Sequence, residues 1–418
     1  MDDLTDTNEG LPTGHSRAPG GRAGQLASSG LRPGWTTGAC AAAAARAAYT
    51  ALLMGDHPDP VTVQLPGGRR PAFALTSRDL GDGWASAAVT KDSGDDPDVT
   101  HGAVVRVRVS VGRPGAGLTF TAGPGVGLVT LPGLPLPVGE PAINPMPRRM
   151  IADNLAAVAR GYLLDAGLSL QDEFPAGTDR PRALPGVPEA PWDAGSLASG
   201  LDLNVEVGID DGEALARHTL NPRLGIVGGL SVLGTTGVVV PYSCSAWIDS
   251  IHRGVDVAIA VGCSHVAACT GSTSERVARE RYGLPDLALL DMGDFAGAVL
   301  KYLRAHPVAR LTICGGVAKL SKLATGHLDL HSGRSSIDTA FLASLARDGG
   351  AGHALAAAIL ASTTVLGAVT LAHEAAVPLG DLIAAAARDQ ALHVLAGAPV
   401  EVGVVCLDRA GAVLGKAP

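Results

Sequence analysis

Gly234-Thr235-Thr236-Gly237 places two hydroxyls between two glycines, a combination suited to an oxygen-rich ligand. Glycine lets backbone come close to a bound group, while threonine hydroxyls and free N–H groups bind carboxylate or hydroxyl oxygens. A tight turn with capping threonines accounts for the same four residues. No Gly-Lys-Ser or Gly-Lys-Thr follows, so the lysine of a P-loop is absent, and Gly225, Gly228 and Gly229 do not spell GxGxxG. Thr36-Thr37-Gly38 repeats the theme at a helix start, where N-capping is the ordinary role of threonine. Asp291 ends an apolar run and suits the hydroxyls of a ribose; an acidic strand end is equally an ordinary loop residue. Arg223, Lys319 and Lys322 can pair with carboxylates, Arg223 in bidentate fashion. Lys319 and Lys322, three apart, also read as one solvated helical face. His252, His265, His327 and His331 are candidate bases, and each reads as readily as a structural histidine. Cys263-Ser264-His265 with Cys269 lacks the second ligand pair that zinc sites show, so no metal site is expected.

These residues need elements to position them. The alanine-rich run 39–54 predicts a helix, capped by Thr36 or Thr37 and closed by Gly55. Strands are expected at 61–65, 85–90 and 104–111, the last with Arg106, Arg108 and Ser110 on a solvated face. The glycine- and proline-dense segment 123–147 is too rich in breakers for regular structure, and a helix is expected at 147–166. Further on, apolar runs at 224–227, 255–261, 287–291 and 310–314 read as buried strands. Helices at 245–253, 273–282 and 295–305 alternate with them, the second opened by a Ser272–Glu275 capping box. The run 354–369 reads as one buried helix rather than a membrane span. This alternation predicts an N-terminal α+β domain (31–215) followed by a doubly wound parallel α/β domain (216–418). Ligands of such a sheet bind beyond the carboxyl ends of its strands. The loops at 228–237, 262–271, 291–294 and 315–332 are therefore the ones to watch.

Bulk properties narrow the function classes. The chain has 418 residues, enough for two ordinary cores. A formal charge of −8 lacks the positive footprint that nucleic-acid binding needs, and aromatics at 3% offer no broad stacking surface. Residues 1–30 read as a disordered tail without the apolar stretch of a signal peptide, and 174–200 as a mobile insertion. The six cysteines show no paired spacing and read as buried thiols of a reducing cytoplasm.

Four ordered stretches carry a resemblance. They are Arg32-Pro-Gly-Trp-Thr-Thr-Gly-Ala-Cys40, and Gly123-Pro-Gly-Val-Gly-Leu-Val-Thr130 continuing through Val138-Gly-Glu-Pro-Ala-Ile-Asn-Pro145. The third is Asn221-Pro-Arg-Leu-Gly-Ile-Val-Gly-Gly229 running into Gly234-Thr-Thr-Gly237, and the fourth Lys319-Leu-Ser-Lys-Leu-Ala324 with His331-Ser332. Together they resemble the CbiD family, S-adenosylmethionine-dependent methyltransferases acting on C1 of cobalt-precorrin-5B in anaerobic-type cobalamin biosynthesis. The resemblance implies S-adenosylmethionine as cosubstrate, with Gly234, Thr235, Thr236, Gly237 and Asp291 as candidates to bind it. For a tetrapyrrole substrate the candidates are Thr36, Thr37, Arg223, Lys319, Lys322 and His331. It implies no nucleic-acid or membrane partner, and a homo-oligomer is compatible with it. Leu131 departs from the pattern, standing where a basic residue is expected before Pro132-Gly133-Leu134. Two alternatives remain from the residues themselves: a noncatalytic tetrapyrrole carrier, and a nucleotide- or phosphate-binding enzyme using the Gly-Thr-Thr-Gly loop.

Overall fold

The computed structural model describes residues 30–165 and 201–418. The insertion expected at 174–200, and all of the expected tail but Gly30, lie outside the described residues.

The first helix, α1 (Thr37–Met54), begins where the sequence places it. Thr36 is extended, and its hydroxyl accepts from the Ala39 N–H at 3.2 Å. Gly55, at φ +84, closes the helix by donating its N–H to the Ala51 carbonyl. The small alanine side chains of α1 let it pack closely on a five-stranded sheet. Its strands are β1 (Ser77–Gly81), β2 (Trp84–Thr90), β3 (Val104–Val111), β4 (Leu118–Ala122) and β5 (Leu203–Ile209), in the order β1-β2-β3-β5-β4. All neighbours are antiparallel except β4 and β5. In β3 the alternation holds, with Val105, Val107 and Val109 buried and Arg106 and Arg108 exposed. The helix α2 (Pro145–Asp165) packs beside α1 in the same core.

Residues 221–239 return to this core, which corrects one expectation. Ile226 and Val227 do not join a parallel sheet; they pair antiparallel with Val129 and Leu128. Leu230 and Val232 are buried with α1 and β3, and Val238–Val239 pairs with Gly34–Trp35. A two-residue pairing is too short to show in the hydropathy pattern.

The second sheet is built from β6 (His265–Cys269), β7 (Leu289–Asp291), β8 (Arg310–Gly316), β9 (Glu401–Leu407) and β10 (Val413–Ala417), in the order β7-β6-β8-β9-β10. The first four strands of that order are parallel and β10 is antiparallel. Val266, Ala268, Leu311 and Ile313 bury on one face, and Ala267, Cys269 and Cys314 on the other. Burial on both faces explains why these strands read as unbroken apolar runs. Helices α3 (Cys244–Ala260), α5 (Ala296–Ala305), α6 (Val317–Ala324), α7 (Thr339–Asp348), α8 (His353–Leu360), α9 (Val365–Glu374) and α10 (Leu379–Leu395) contribute to the first face. The helix α4 (Ser272–Tyr282) covers the second. The chain is thus a mixed α/β protein.

Three further expectations change. The run 255–261 is helix, not strand: it completes α3, whose buried Ile251, Val255 and Ala258 follow helical spacing. The adjoining strand is β6, inside the stretch read as a loop. The capping box at Ser272 is displaced by one residue, since Gly271 is the N-cap and Ser274 donates to its carbonyl at 2.7 Å. The run 354–369 divides into α8 and α9, with the Thr364 hydroxyl capping the second.

Candidate active site

In the second sheet β6 comes first in the chain, β7 lies on one side of it and β8 on the other. The chain therefore changes direction across the sheet between β6 and β8, and it is at such a switch point, outside the carboxyl ends of the strands, that the crevice of an open α/β sheet takes its ligands. Gly271, after β6, and Gly316, ending β8, face open space: an added Cβ would meet nothing within 4 Å. Gly315 between them is packed, since a Cβ there would fall 2.6 Å from Thr270 Cγ2.

Charged side chains from separate segments converge on this edge. Glu275, in the first turn of α4, is buried and takes both arms of Arg223, each at 2.7 Å. Asp291 ends β7, and its carboxyl is pushed up from the ordinary range, first by burial and then by Glu275. Arg223, the Gly293 N–H and Lys319 oppose that shift. Lys319 donates to the Thr270 carbonyl at 3.3 Å and lies 3.1 Å from Asp294 Oδ1. That contact is electrostatic rather than an aligned hydrogen bond, which leaves the buried Oδ1 without a hydrogen-bond partner among the described residues. Trp247 of α3 donates from Nε1 to the Asp291 carbonyl at 3.0 Å and lies against Gly293. The backbone at 328–330 binds the same region: Leu330 N–H donates to Asp294 O, and Gly297 N–H to Leu328 O. Arg334 then reaches back to Cys244 Sγ at 3.6 Å and pairs with Asp329 at 2.8 Å.

Of the residues singled out in the sequence, Arg223, Asp291 and Lys319 meet here, and His331 follows directly on Leu330, its side chain exposed and accepting from the Gly333 N–H. Lys322 is different. It is buried and its ammonium donates to the Leu330 carbonyl at 3.0 Å, so it ties down the loop instead of lining a solvated face.

The two Thr-Thr-Gly motifs form a separate constellation and hold each other. Thr36 N–H donates to Gly237 O and Gly38 N–H to Leu233 O, both at 3.0 Å. The Thr37 hydroxyl accepts from the Leu233 N–H at 3.0 Å, while that of Thr36 caps α1. Thr36 and Thr37 are buried with their hydroxyls committed inside the fold, whereas Thr235 and Thr236 remain exposed. Gly234 cannot carry a side chain, because a Cβ would fall 2.3 Å from Thr36 Oγ1.

Five of the cysteines are held as thiols. Burial pushes Cys40, Cys314 and Cys406 up to about 12, and raises Cys263 and Cys269 also. His252 and His265 are pushed down by burial, and His265 is engaged by the Thr312 hydroxyl at 2.9 Å. The depression bounded by residues 132–138 contains no titratable side chain and lies apart from this chemistry. No helix among the described residues is long and apolar enough to cross a membrane.

Comparison with known proteins fixes the family. The CbiD family matches residues 25–182 and 190–241, and the CbiD C-terminal domain matches 329–418. The chain belongs to the CbiD family. A relative from Paramagnetospirillum magneticum, a cobalt-precorrin-5B C(1)-methyltransferase, is 51% identical over 93% of this chain and 98% of its own. Another so named, from Halorhodospira halophila, is 51% identical over 94% and 96%. The crystal structure of cobalamin biosynthesis protein (cbiD) from Archaeoglobus fulgidus aligns with 73% of this chain and 83% of its own, at 25% identity and a TM-score of 0.35.

In this CbiD chain the sequence reading missed Glu275, Asp294, Trp247 and Arg334. Glu275 was legible only as a helix-start acid, although a carboxylate there and an arginine at 223 are complementary. Leu131, the apolar departure, packs over Gly225, two residues from the Arg223 fork.

Proposed function

We propose that this chain methylates C1 of cobalt-precorrin-5B to give cobalt-precorrin-6A in cobalamin biosynthesis, with S-adenosylmethionine as methyl donor. The substrate assignment follows the names of relatives aligned over more than nine-tenths of the chain. In the structure, the observation that supports the reading is the switch point between β6 and β8, with Gly271 and Gly316 unobstructed at the strand ends and Asp291 ending the neighbouring β7. The same proposal treats 31–215 and 216–418 as an α+β unit and a doubly wound α/β unit, with the chain to Val239 packed onto the first.

S-adenosylmethionine supplies an activated methyl group, and the cobalt belongs to the substrate. The protein's part is alignment, holding donor and acceptor carbon in line within a few ångströms. Asp291 presents an acceptor to ribose hydroxyls, the role acidic strand ends have in this architecture. Glu275, Asp291 and Asp294 outnumber Arg223 and Lys319 at this edge, so the local field suits a sulfonium and an ammonium group. Arg223 and Lys319 act as positioning residues: the first holds Glu275, the second ties Thr270 to Asp294. Exposed Thr235, Thr236 and His331 present polar groups for the polar arms of the tetrapyrrole.

Incubation with methyl-labelled S-adenosylmethionine and cobalt-precorrin-5B tests the reading. Label should appear at C1 of the product with an equal amount of S-adenosylhomocysteine. Corrinoid binding without label transfer would favour a carrier instead.

A further inference from the structure

The chain has only 4 Trp, 5 Tyr and 5 Phe, and nearly all of those described are buried or half-buried. Among the described residues two aromatic side chains are exposed, Tyr242 at 68% and Trp247 at 45%, and they lie five positions apart. Trp247 lies in the first turn of α3 and Tyr242 just before that helix. Trp247 is fixed there by its bond to the Asp291 carbonyl and by its contact with Gly293. Tyr242 is fixed through its backbone, its N–H donating to Asp96 Oδ1 at 2.8 Å from the N-terminal half.

Tyr242 also adopts φ +56, the left-handed region. The chain needs this turn to pass from Val238–Val239 into α3, and glycine would make it without strain. A bulky aromatic held in that conformation and left in solvent works against stability, and such strain concentrates at binding sites. Leu233 and Val240, on either side of the Gly-Thr-Thr-Gly loop in the chain, are exposed apolar residues as well.

We propose that Tyr242 and Trp247 form the surface against which the face of the tetrapyrrole substrate rests, next to the methyl donor. The proposal rests on the methyltransferase reading above. A macrocycle is broad, flat and apolar on its faces with polar arms at its rim, and aromatic rings recognise such faces through offset stacking. Trp247 links the surface to Asp291 through one hydrogen bond, so a ring seated on it lies beside the crevice.

The test uses the full chain and two calorimetric titrations, with S-adenosylhomocysteine and with dicyanocobyrinic acid, a polycarboxylate cobalt corrinoid. Tyr242→Gly should bind the corrinoid about ten-fold more weakly, the scale of one lost aromatic contact. Its S-adenosylhomocysteine affinity should be unchanged, and its melting temperature equal to or above that of the wild type. Tyr242→Phe, which keeps the ring, should bind the corrinoid like the wild type. Wild-type corrinoid affinity in Tyr242→Gly would overturn the proposal, as would equal losses in both variants or no corrinoid binding by the wild type. Absence of S-adenosylhomocysteine binding by the wild type would instead count against the methyltransferase reading.

Discussion

Arg223 and Glu275 meet fork to fork, with both nitrogen–oxygen distances at 2.7 Å, although 52 residues separate them in the chain. The pair joins the single-turn segment Asn221–Leu224 to the first turn of α4 and so fixes one wall of the crevice. Its two members are unequally exposed, the arginine side chain 29% and the glutamate 10%. Arg223→Met therefore leaves a buried, unpaired carboxylate and should destabilise the protein by about 2–3 kcal/mol, less than a fully buried pair would lose. Glu275→Gln leaves a cation that water can reach and should cost less. Urea denaturation of both variants checks the order; equal losses would show that the pair is not desolvated as described.

Asp291 should make stability depend on pH in an unusual direction. Its folded carboxyl is raised above the ordinary value by burial and Glu275, so the folded state holds that proton more tightly than the unfolded chain does. Stability from this group is therefore fully present at a pH below the ordinary aspartate range and falls as pH rises through the raised value. Asp291→Asn removes the penalty. Its melting temperature should exceed that of the wild type at neutral pH, and the gain should shrink towards zero in acid. A variant less stable than the wild type at neutral pH would contradict this.

The Gly-Thr-Thr-Gly loop calls for two contrasting substitutions. Gly237 sits at φ +80, and an added Cβ would lie 2.9 Å from Leu65 Cδ1. Gly237→Val should lower stability by about 1–3 kcal/mol whether or not the loop binds a ligand. Thr236 is exposed, and among the described residues its hydroxyl makes only long local contacts with Val238. Thr236→Val should leave the melting temperature unchanged, so any several-fold loss of corrinoid affinity reports a lost ligand contact. Unchanged affinity would make the loop a turn that braces α1 and nothing more.

Local signals made much of this protein legible. The Thr36 cap, the Gly55 stop and the alternation in 104–111 each depend on neighbours in sequence, and each matches the structure. The run 255–261 misled because a short β-branched apolar stretch looks alike in a buried helix and a buried strand. The site was half legible for a related reason. Asp291 stood out at the end of an apolar run, whereas Glu275 matters through Arg223, a partner that only the fold supplies. Lys319 and Lys322, similar in sequence, diverge because one reaches across strand ends and the other points beneath the 327–331 loop.

The central claim is that the crevice at the carboxyl ends of β6, β7 and β8 holds the methyl donor, with Asp291 in contact. Isothermal titration of S-adenosylhomocysteine into the wild type and Asp291→Ala tests it most directly. Loss of a charged acceptor should weaken binding by about 1.5–3 kcal/mol, ten-fold or more, while the free protein stays folded. Equal affinity in the two proteins would contradict the claim.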